Sequence, residues 1–203
     1  MNKIYKMPWL YKIGRFILGP IFMWYYNPKV INKEVLDTID GPTLIAGNHK
    51  HLYDQCMTIV LSKKFVKYMA KKEYFDDWKT RWFFKGVGCI SVNRQVKDSG
   101  SKEEAIEHLN KGGIIGLFPE GTRNKTDKFL LDFKFGTVSM AQKTDATIIP
   151  FGITGDYKFR SKNLTIRYGK PFKVNNMSLE EANEKLYNTV KKLMEENIKE
   201  ENK

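Results

Sequence analysis

From residue 40 onward, short apolar runs alternate with stretches whose apolar positions recur every third or fourth residue. The first pattern fits buried strands and the second fits amphipathic helices. "GPTLIAGN" (41–48) predicts a short buried strand entered from a Gly-Pro turn. A helix is expected over 54–62, starting near Asp54, a residue type suited to a helix start. "FVKYMA" (65–70) predicts a strand, "YFDDWKTRWFFKGVG" one helix ending at Gly86 or Gly88, and "CISVNR" (89–94) another strand. "SKEEAIEHLNKGG" predicts a helix capped by Ser101 with Glu104 and stopped by Gly112 and Gly113. "IIGLFPE" is a strand running into a loop, "FKFGTVSMAQKTDA" is helix-like, and "TIIPFGI" and "NLTIRYGKPF" predict two more strands. The last helix has a capping box at Ser178 and Glu181. Its apolar stripe is Leu179, Ala182, Leu186, Val190 and Leu193, and its tail "EENIKEENK" is expected to fray.

Strands alternating with helices give a single α/β domain, with a mostly parallel or mixed sheet flanked by helices. In such sheets ligands gather at the carboxyl ends of strands. Three polar clusters fall at predicted strand ends: Asn48–Asp54, Asn93–Arg94 and Pro119–Arg123. That placement would bring distant pieces of sequence into one site.

The first 30 residues follow a different pattern. They carry Lys3, Lys6, Lys12, Arg15 and Lys29, no acid, and many aromatic residues. On a helix, Trp9, Leu10, Ile13, Phe16 and Ile17 share one face, with Lys12 and Arg15 flanking it. This is the composition of an amphipathic helical membrane-binding segment lying at an anionic bilayer surface. The longest uncharged apolar run, Phe16 to Tyr26, is interrupted by Pro20. A spanning helix needs about 20 residues, so one or two short helices in one leaflet are expected, bent at Pro20. The expected organisation is residues 1–30 as the membrane-associating segment and 31–203 as the α/β domain.

Charge strengthens that picture. The formal net charge is +12 and the isoelectric point about 9.5, which suits a polyanionic partner. The nucleic-acid signatures sought (an RNP motif, a zinc finger, a helix-turn-helix) are not found, so nucleic acid is not the expected partner. Two cysteines make no disulfide framework, and no secretory signal is recognisable, which fits a reducing, cytoplasmic setting.

Candidate chemistry concentrates in "LIAGNHKHLYDQC" (44–56), with His49, His51, Asp54 and Cys56. A metal would need three or four ligands of suitable geometry, and the only other histidine, His108, lies on a polar helix. Cys56 opens "CMTIVL", the buried face of a helix, where a free thiol is usually a small hydrophobe. The third reading is a histidine base. Asp54 would reach Nδ1 of His49, fix its tautomer and stabilise the imidazolium, leaving Nε2 to take a proton from a hydroxyl. Alone, the spacing is a weak signal.

Four blocks strengthen it: "NHKHLYD", "GCISVNR", "FPEGTRN" and "IIPFGI", in that order at wide intervals. Together they resemble the four sequence blocks of the glycerolipid acyltransferase family, the group that includes the 1-acylglycerol-3-phosphate acyltransferases. The first carries that family's Asn-His-x4-Asp as Asn48, His49 and Asp54. The second is similar to its Gly-x-Ile-x-Val-x-Arg, as Gly88, Ile90, Val92 and Arg94. The third matches Phe-Pro-Glu-Gly-Thr-Arg at every position from Phe118 to Arg123, and "FKFG" (133–136) resembles a segment that often follows it. Lys50 and His51 depart from the smaller or apolar spacers common in the first block.

The resemblance implies transfer of a fatty acyl group from a thioester, on acyl carrier protein or coenzyme A, to the free hydroxyl of a lysophospholipid. With 1-acylglycerol-3-phosphate as acceptor the product is phosphatidic acid. Another lyso-lipid, a transacylase reaction and a non-enzymatic basic membrane-binding protein are the alternatives. A thioester is already activated, so neither cofactor nor metal is expected. His49 and Asp54 would be catalytic. Asn48, Arg94, Glu120, Gly121, Thr122, Arg123 and Lys134 would bind substrate, the two arginines gripping phosphate bidentately. Glu120 would bond acceptor hydroxyls or fix Arg123 and its loop. The expected location is the cytoplasmic face of the cell membrane, as a monotopic or peripheral protein.

Overall fold

The computed structural model describes residues 6–93 and 99–201. Helical chain runs through Trp9–Ile13 (α1), a π-helical turn Gly14–Leu18, and Gly19–Tyr26 (α2). Lys29–Ile31 (β1), a 3-10 turn Lys33–Thr38, Thr43–Gly47 (β2), Asp54–Leu61 (α3) and Val66–Lys71 (β3) follow. Next come Glu73–Asp76 (α4), Trp78–Gly86 (α5), Ile90–Val92 (β4), Ser99–Asn110 (α6) and Ile114–Leu117 (β5). The chain closes with Gly136–Thr144 (α7), Thr147–Thr154 (β6), Thr165–Tyr168 (β7) and Leu179–Glu201 (α8).

The strands form one sheet in the order β1-β7-β6-β2-β5-β3-β4. β6 and β7 pair antiparallel and the other neighbours pair parallel, so the sheet is mixed. Alternate residues of the central strands point to opposite faces. Leu44, Ala46 and Ile148 meet Ala105, Leu109, Val138, Ala141, Leu186 and Val190 of α6, α7 and α8. Ile45, Ile149, Phe151 and Ile153 meet Met57 and Leu61 of α3, with Phe22, Met23 and Tyr26 of α2 against the same cluster. The result is a sheet between two helical layers, as the alternation of strands and helices predicts.

Several local expectations change. "YFDDWKTRWFFKGVG" is two helices, because Asp77 is extended (φ −72°, ψ 119°) and its carboxylate accepts from the Lys79 N–H. That bond serves the second helix as an N-cap. α6 is already helical at Ser99, so Ser101 lies inside it, and Glu104 pairs with Lys67 at 2.7 Å. The capping box at Ser178 and Glu181 forms reciprocally, at 2.8 and 3.1 Å. The tail does not fray before Glu201. Asn197 is buried, donating to the Gly152 carbonyl at 3.1 Å and accepting from Arg167 Nε at 2.9 Å. Glu200 holds both Arg167 and Lys29.

The sheet takes up the chain at Lys29, so β1 straddles the expected boundary at residue 30. At Pro20, the residue where a bend is expected, the backbone on either side stays helical, with Leu18 and Gly19 in the right-handed helical region. The π turn ends just ahead of it, and Pro20 occupies the first turn of α2, where its missing N–H costs nothing. One face of this helix packs on the domain: Tyr11 is buried and accepts from the Val66 N–H at 3.1 Å. The other face leaves Trp9, Ile13, Phe16, Ile17, Ile21 and Trp24 exposed. No helix among the described residues is long and apolar enough to cross a membrane.

Gly47 of β2 lies opposite Phe151 of β6, and a Cβ there would overlap the carbonyl oxygen and ring of Phe151. Both strands are central and cannot yield. Gly47→Ala should therefore cost roughly 1–3 kcal/mol, read as a lower urea midpoint at unchanged slope.

Candidate active site

β2 and β5 are parallel neighbours, with Ala46 opposite Leu117. Their carboxyl ends therefore release Asn48–His49 and Phe118–Glu120 side by side. The His49 ring stacks on Phe118 at 3.9 Å, with 11° between planes. Its backbone N–H donates to Glu120 Oε1 at 2.6 Å, and its carbonyl accepts from the Asn124 N–H at 2.7 Å. The third sequence block thus holds the backbone of the first.

Asp54 opens α3 and is fully buried. Its Oδ2 lies 2.8 Å from His49 Nδ1 and accepts the backbone N–H groups of Lys50 and His51 at 2.7 Å each. Its Oδ1 accepts the Tyr157 hydroxyl at 2.8 Å. A carboxylate ringed by donors accepts only, so Nδ1 carries the proton and Nε2 is left with its lone pair. That is the tautomer a general base needs. Burial, and then the neighbouring Asp54 charge, push the Tyr157 phenol far above its ordinary value, so it stays a donor.

Tyr157 was not foreseen from the sequence. It follows β6 on the loop to β7, at a carboxyl strand end, but no spacing marks it. Its ring stacks on His51 at 4.4 Å. His51 is thereby turned from the dyad, and its Nδ1 accepts the Tyr53 N–H at 3.3 Å. Cys56 is no nucleophile in this setting: burial first, then the Asp54 charge, push its thiol up to about 11.

Two residues expected at the substrate are buried and bonded to backbone. Asn48 is buried, donating to the Ile153 carbonyl at 2.9 Å and accepting from the Ile153 N–H at 2.7 Å. It acts as one more ladder residue between β2 and β6 and faces no open site. Glu120 is also buried; besides His49 it accepts the Leu131 N–H at 3.1 Å. Burial raises its carboxyl above the ordinary value, offset in part by those two donors. It fixes the loop, as one of its two expected roles had it, through backbone N–H groups, with no bond to Arg123.

Gly121, Thr122, Arg123 and Lys134 lie on the loop between β5 and α7. Gly121 has φ +71°, and the Lys134 side chain crosses it closely enough that a Cβ would meet it at 3.0 Å. The turn calls for glycine, while the flexible end of the Lys134 side chain could give way to a Cβ. The Gly121 N–H donates to Phe118, and the Lys134 N–H to Pro119, each at 2.9 Å. Thr122 and Lys134 are exposed and Arg123 is half-buried. Among the described residues, the Arg123 and Lys134 side chains take no ion pair. Arg94 lies outside the described residues.

The chain matches the family model described as Acyltransferase over residues 27–154. It is 29% identical to the 1-acyl-sn-glycerol-3-phosphate acyltransferase of Bacillus subtilis, over 80% of this chain and 82% of that one. It is also 29% identical to a chloroplastic 1-acyl-sn-glycerol-3-phosphate acyltransferase of Arabidopsis thaliana, over 66% of this chain and only 38% of that longer protein. Among solved structures, the 1-acyl-sn-glycerophosphate acyltransferase of Thermotoga maritima has the same fold, with a TM-score of 0.72. That match is 24% identical and covers 92% of this chain and 77% of the other.

Removing the Tyr157 hydroxyl should leave the fold intact and weaken the dyad. Tyr157→Phe is expected to lower kcat about tenfold, the worth of one hydrogen bond to a charged group. An unchanged kcat with lowered stability would mark Tyr157 as packing only.

Proposed function

The chain belongs to the acyltransferase family, and on that premise we propose that it moves a fatty acyl group from a thioester to the free hydroxyl of 1-acylglycerol-3-phosphate, forming phosphatidic acid. The observation that carries the reading is His49, held by buried Asp54 with Nε2 bearing a lone pair. Nε2 takes the hydroxyl proton as the oxygen attacks the thioester carbonyl, and the thiol of the donor leaves. Asp54 stabilises the imidazolium, which then returns its proton to the departing sulfur. The reading calls for no cofactor or metal.

The acceptor's phosphate needs cations at the mouth. Arg123 and Lys134 are free of ion pairs among the described residues and stand on the loop that Glu120 ties to His49. Arg94 is assigned to the same phosphate by the resemblance of its block. The Lys50 and His51 N–H groups are committed to Asp54, so the oxyanion takes its donors elsewhere.

A lipid acceptor brings the mouth to a bilayer. The exposed face of the N-terminal helix, with Trp9, Phe16 and Trp24 and the cation Lys12, lies in the headgroup layer of the cytoplasmic leaflet. Acyl carrier protein or a coenzyme A thioester arrives from the aqueous side.

His49→Ala should lower kcat at least a hundredfold, the low end for a positioned base, while acceptor binding stays near wild type. Cys56→Ala should keep full activity. An active His49→Ala or a folded, inactive Cys56→Ala would replace the base mechanism by an acyl-enzyme.

Arg123→Ala should raise the apparent KM for 1-acylglycerol-3-phosphate about tenfold, a charge-assisted hydrogen bond being worth roughly 1.5–3 kcal/mol. The KM for a phosphate-free monoacylglycerol should hardly change. Equal rises for both acceptors would assign Arg123 to the loop rather than to the phosphate.

A further inference from the structure

Away from the active site, α4 and α5 form a helical pair without one buried residue. Tyr74 and Phe84 stack on each other at 4.7 Å, so the pair is held mainly by its own aromatics. A nine-residue helix is too short to be stable on propensity alone, and normally depends on a buried face. On α5 only Thr80, Phe84 and Gly86 are half-buried, and no residue is fully buried. Trp78 is 78% exposed, Trp82 62% and Phe83 44%.

The exposed residues are ordered. Trp78, Trp82 and Gly86 stand at i, i+4 and i+8 along one stripe of α5. At the Gly86 end the stripe meets the N-terminal helix, where a Cβ would come within 2.8 Å of Leu10 Cδ2. Gly88 lies against Pro8 in the same way. The apolar stripe therefore continues the surface that begins at Trp9. Lys79, Arg81 and Lys85 flank it, and α5 carries no acid. Of the acids on α4 and its link to α5, Asp76 is held by Lys72 at 2.5 Å, Asp77 accepts the Lys79 N–H at 3.0 Å, and Glu73 is exposed.

We propose that α5 is a second membrane-contact element, which seats Trp78 and Trp82 in the headgroup layer of an anionic bilayer beside the N-terminal helix. Tryptophan suits that layer because its ring is apolar while its N–H finds a wet partner. Lysine and arginine on the flanks meet lipid phosphates. The same cations would attract an acidic protein, but nearly bare tryptophans favour lipid. The second contact gives the protein a footprint with two anchors, so the active-site mouth is held at a set tilt rather than swinging about one helix. This inference rests on the reading that the enzyme works at a bilayer.

The chain has four tryptophans, Trp9, Trp24, Trp78 and Trp82, so two full-length variants separate the anchors. Trp9→Phe with Trp24→Phe leaves only the α5 reporters, and Trp78→Phe with Trp82→Phe leaves only the N-terminal ones. Each is mixed with vesicles of brominated phosphatidylcholine and phosphatidylglycerol, and emission and co-sedimentation are measured. Quenching and a blue shift from the α5 reporters are expected. Trp78→Glu with Trp82→Glu in the otherwise unaltered chain should lower vesicle partitioning about tenfold, from lost aromatic burial. Quenching of only the N-terminal reporters overturns the proposal and leaves the N-terminal anchor standing. Quenching of only the α5 reporters removes the N-terminal anchor and supports the proposal. Protein that stays in the supernatant, with neither pair quenched, overturns both. An α5 response to acyl carrier protein without one to vesicles also overturns it, in favour of an acidic protein partner.

Discussion

Everything near the proposed reaction hangs on one carboxylate. Asp54 is fully buried, and its two oxygens accept from an imidazole, two backbone N–H groups and a phenol. A buried carboxylate is tolerable only when donors surround it. Here the donors come from the loop after β2, the loop after β6 and the residue it must orient. The cost of burying the charge thus becomes a constraint on geometry. If any of these pieces moves, a buried charge loses a partner.

The sheet makes this meeting possible. Parallel pairing of β2 with both β5 and β6 sends three strand ends to the same edge. From β2 comes the base, from β5 the stacked Phe118 and the buried Glu120, and from β6 the loop bearing Tyr157. Asn48 and Glu120 contribute by fixing backbone, through Ile153 in one case and His49 and Leu131 in the other. Their value lies in holding His49 where a hydroxyl can reach it, since a misplacement of about an ångström can cost a hundredfold in rate.

Around this rigid centre the surface divides by role. The N-terminal helix is two-sided: Tyr11, Phe22 and Tyr26 support the domain while Trp9, Phe16 and Trp24 face outward. Phe22 and Tyr26 also lie against Tyr157, with ring centroids at 6.5 and 5.4 Å. The outer helix and the dyad therefore share one aromatic cluster. Trp24 continues to Phe159 on the Tyr157 loop, at 5.9 Å. The segment assigned to lipid is in this way part of the packing behind the base.

Much of this was legible in the chain. Period alone placed the central strands and the long C-terminal helix, because burying one face of a strand or helix forces apolar residues to recur at fixed intervals. The reciprocal cap at Ser178 and the His49–Asp54 pair were readable because both are made within five residues. Other features were not. The break at Asp77 turned on one cap bond outweighing continuous helix propensity. The last helix holds to Glu201 because Asn197 and Glu200 find Gly152, Arg167 and Lys29, all distant in sequence. Tyr157 stands 103 residues from the carboxylate it serves, and no spacing rule reaches that far. Asn48 was expected at the substrate and bonds Ile153, and Glu120 fixes its loop through His49 and Leu131 rather than through Arg123, since residue type shows what a side chain can bond but not which way it points. The amino-acid sequence by itself determined the strand and helix periods, the family blocks and the local dyad. Which side chains face the reaction and which lie buried beneath it was decided by the sheet, because only strand order and register bring separate loops within hydrogen-bonding reach.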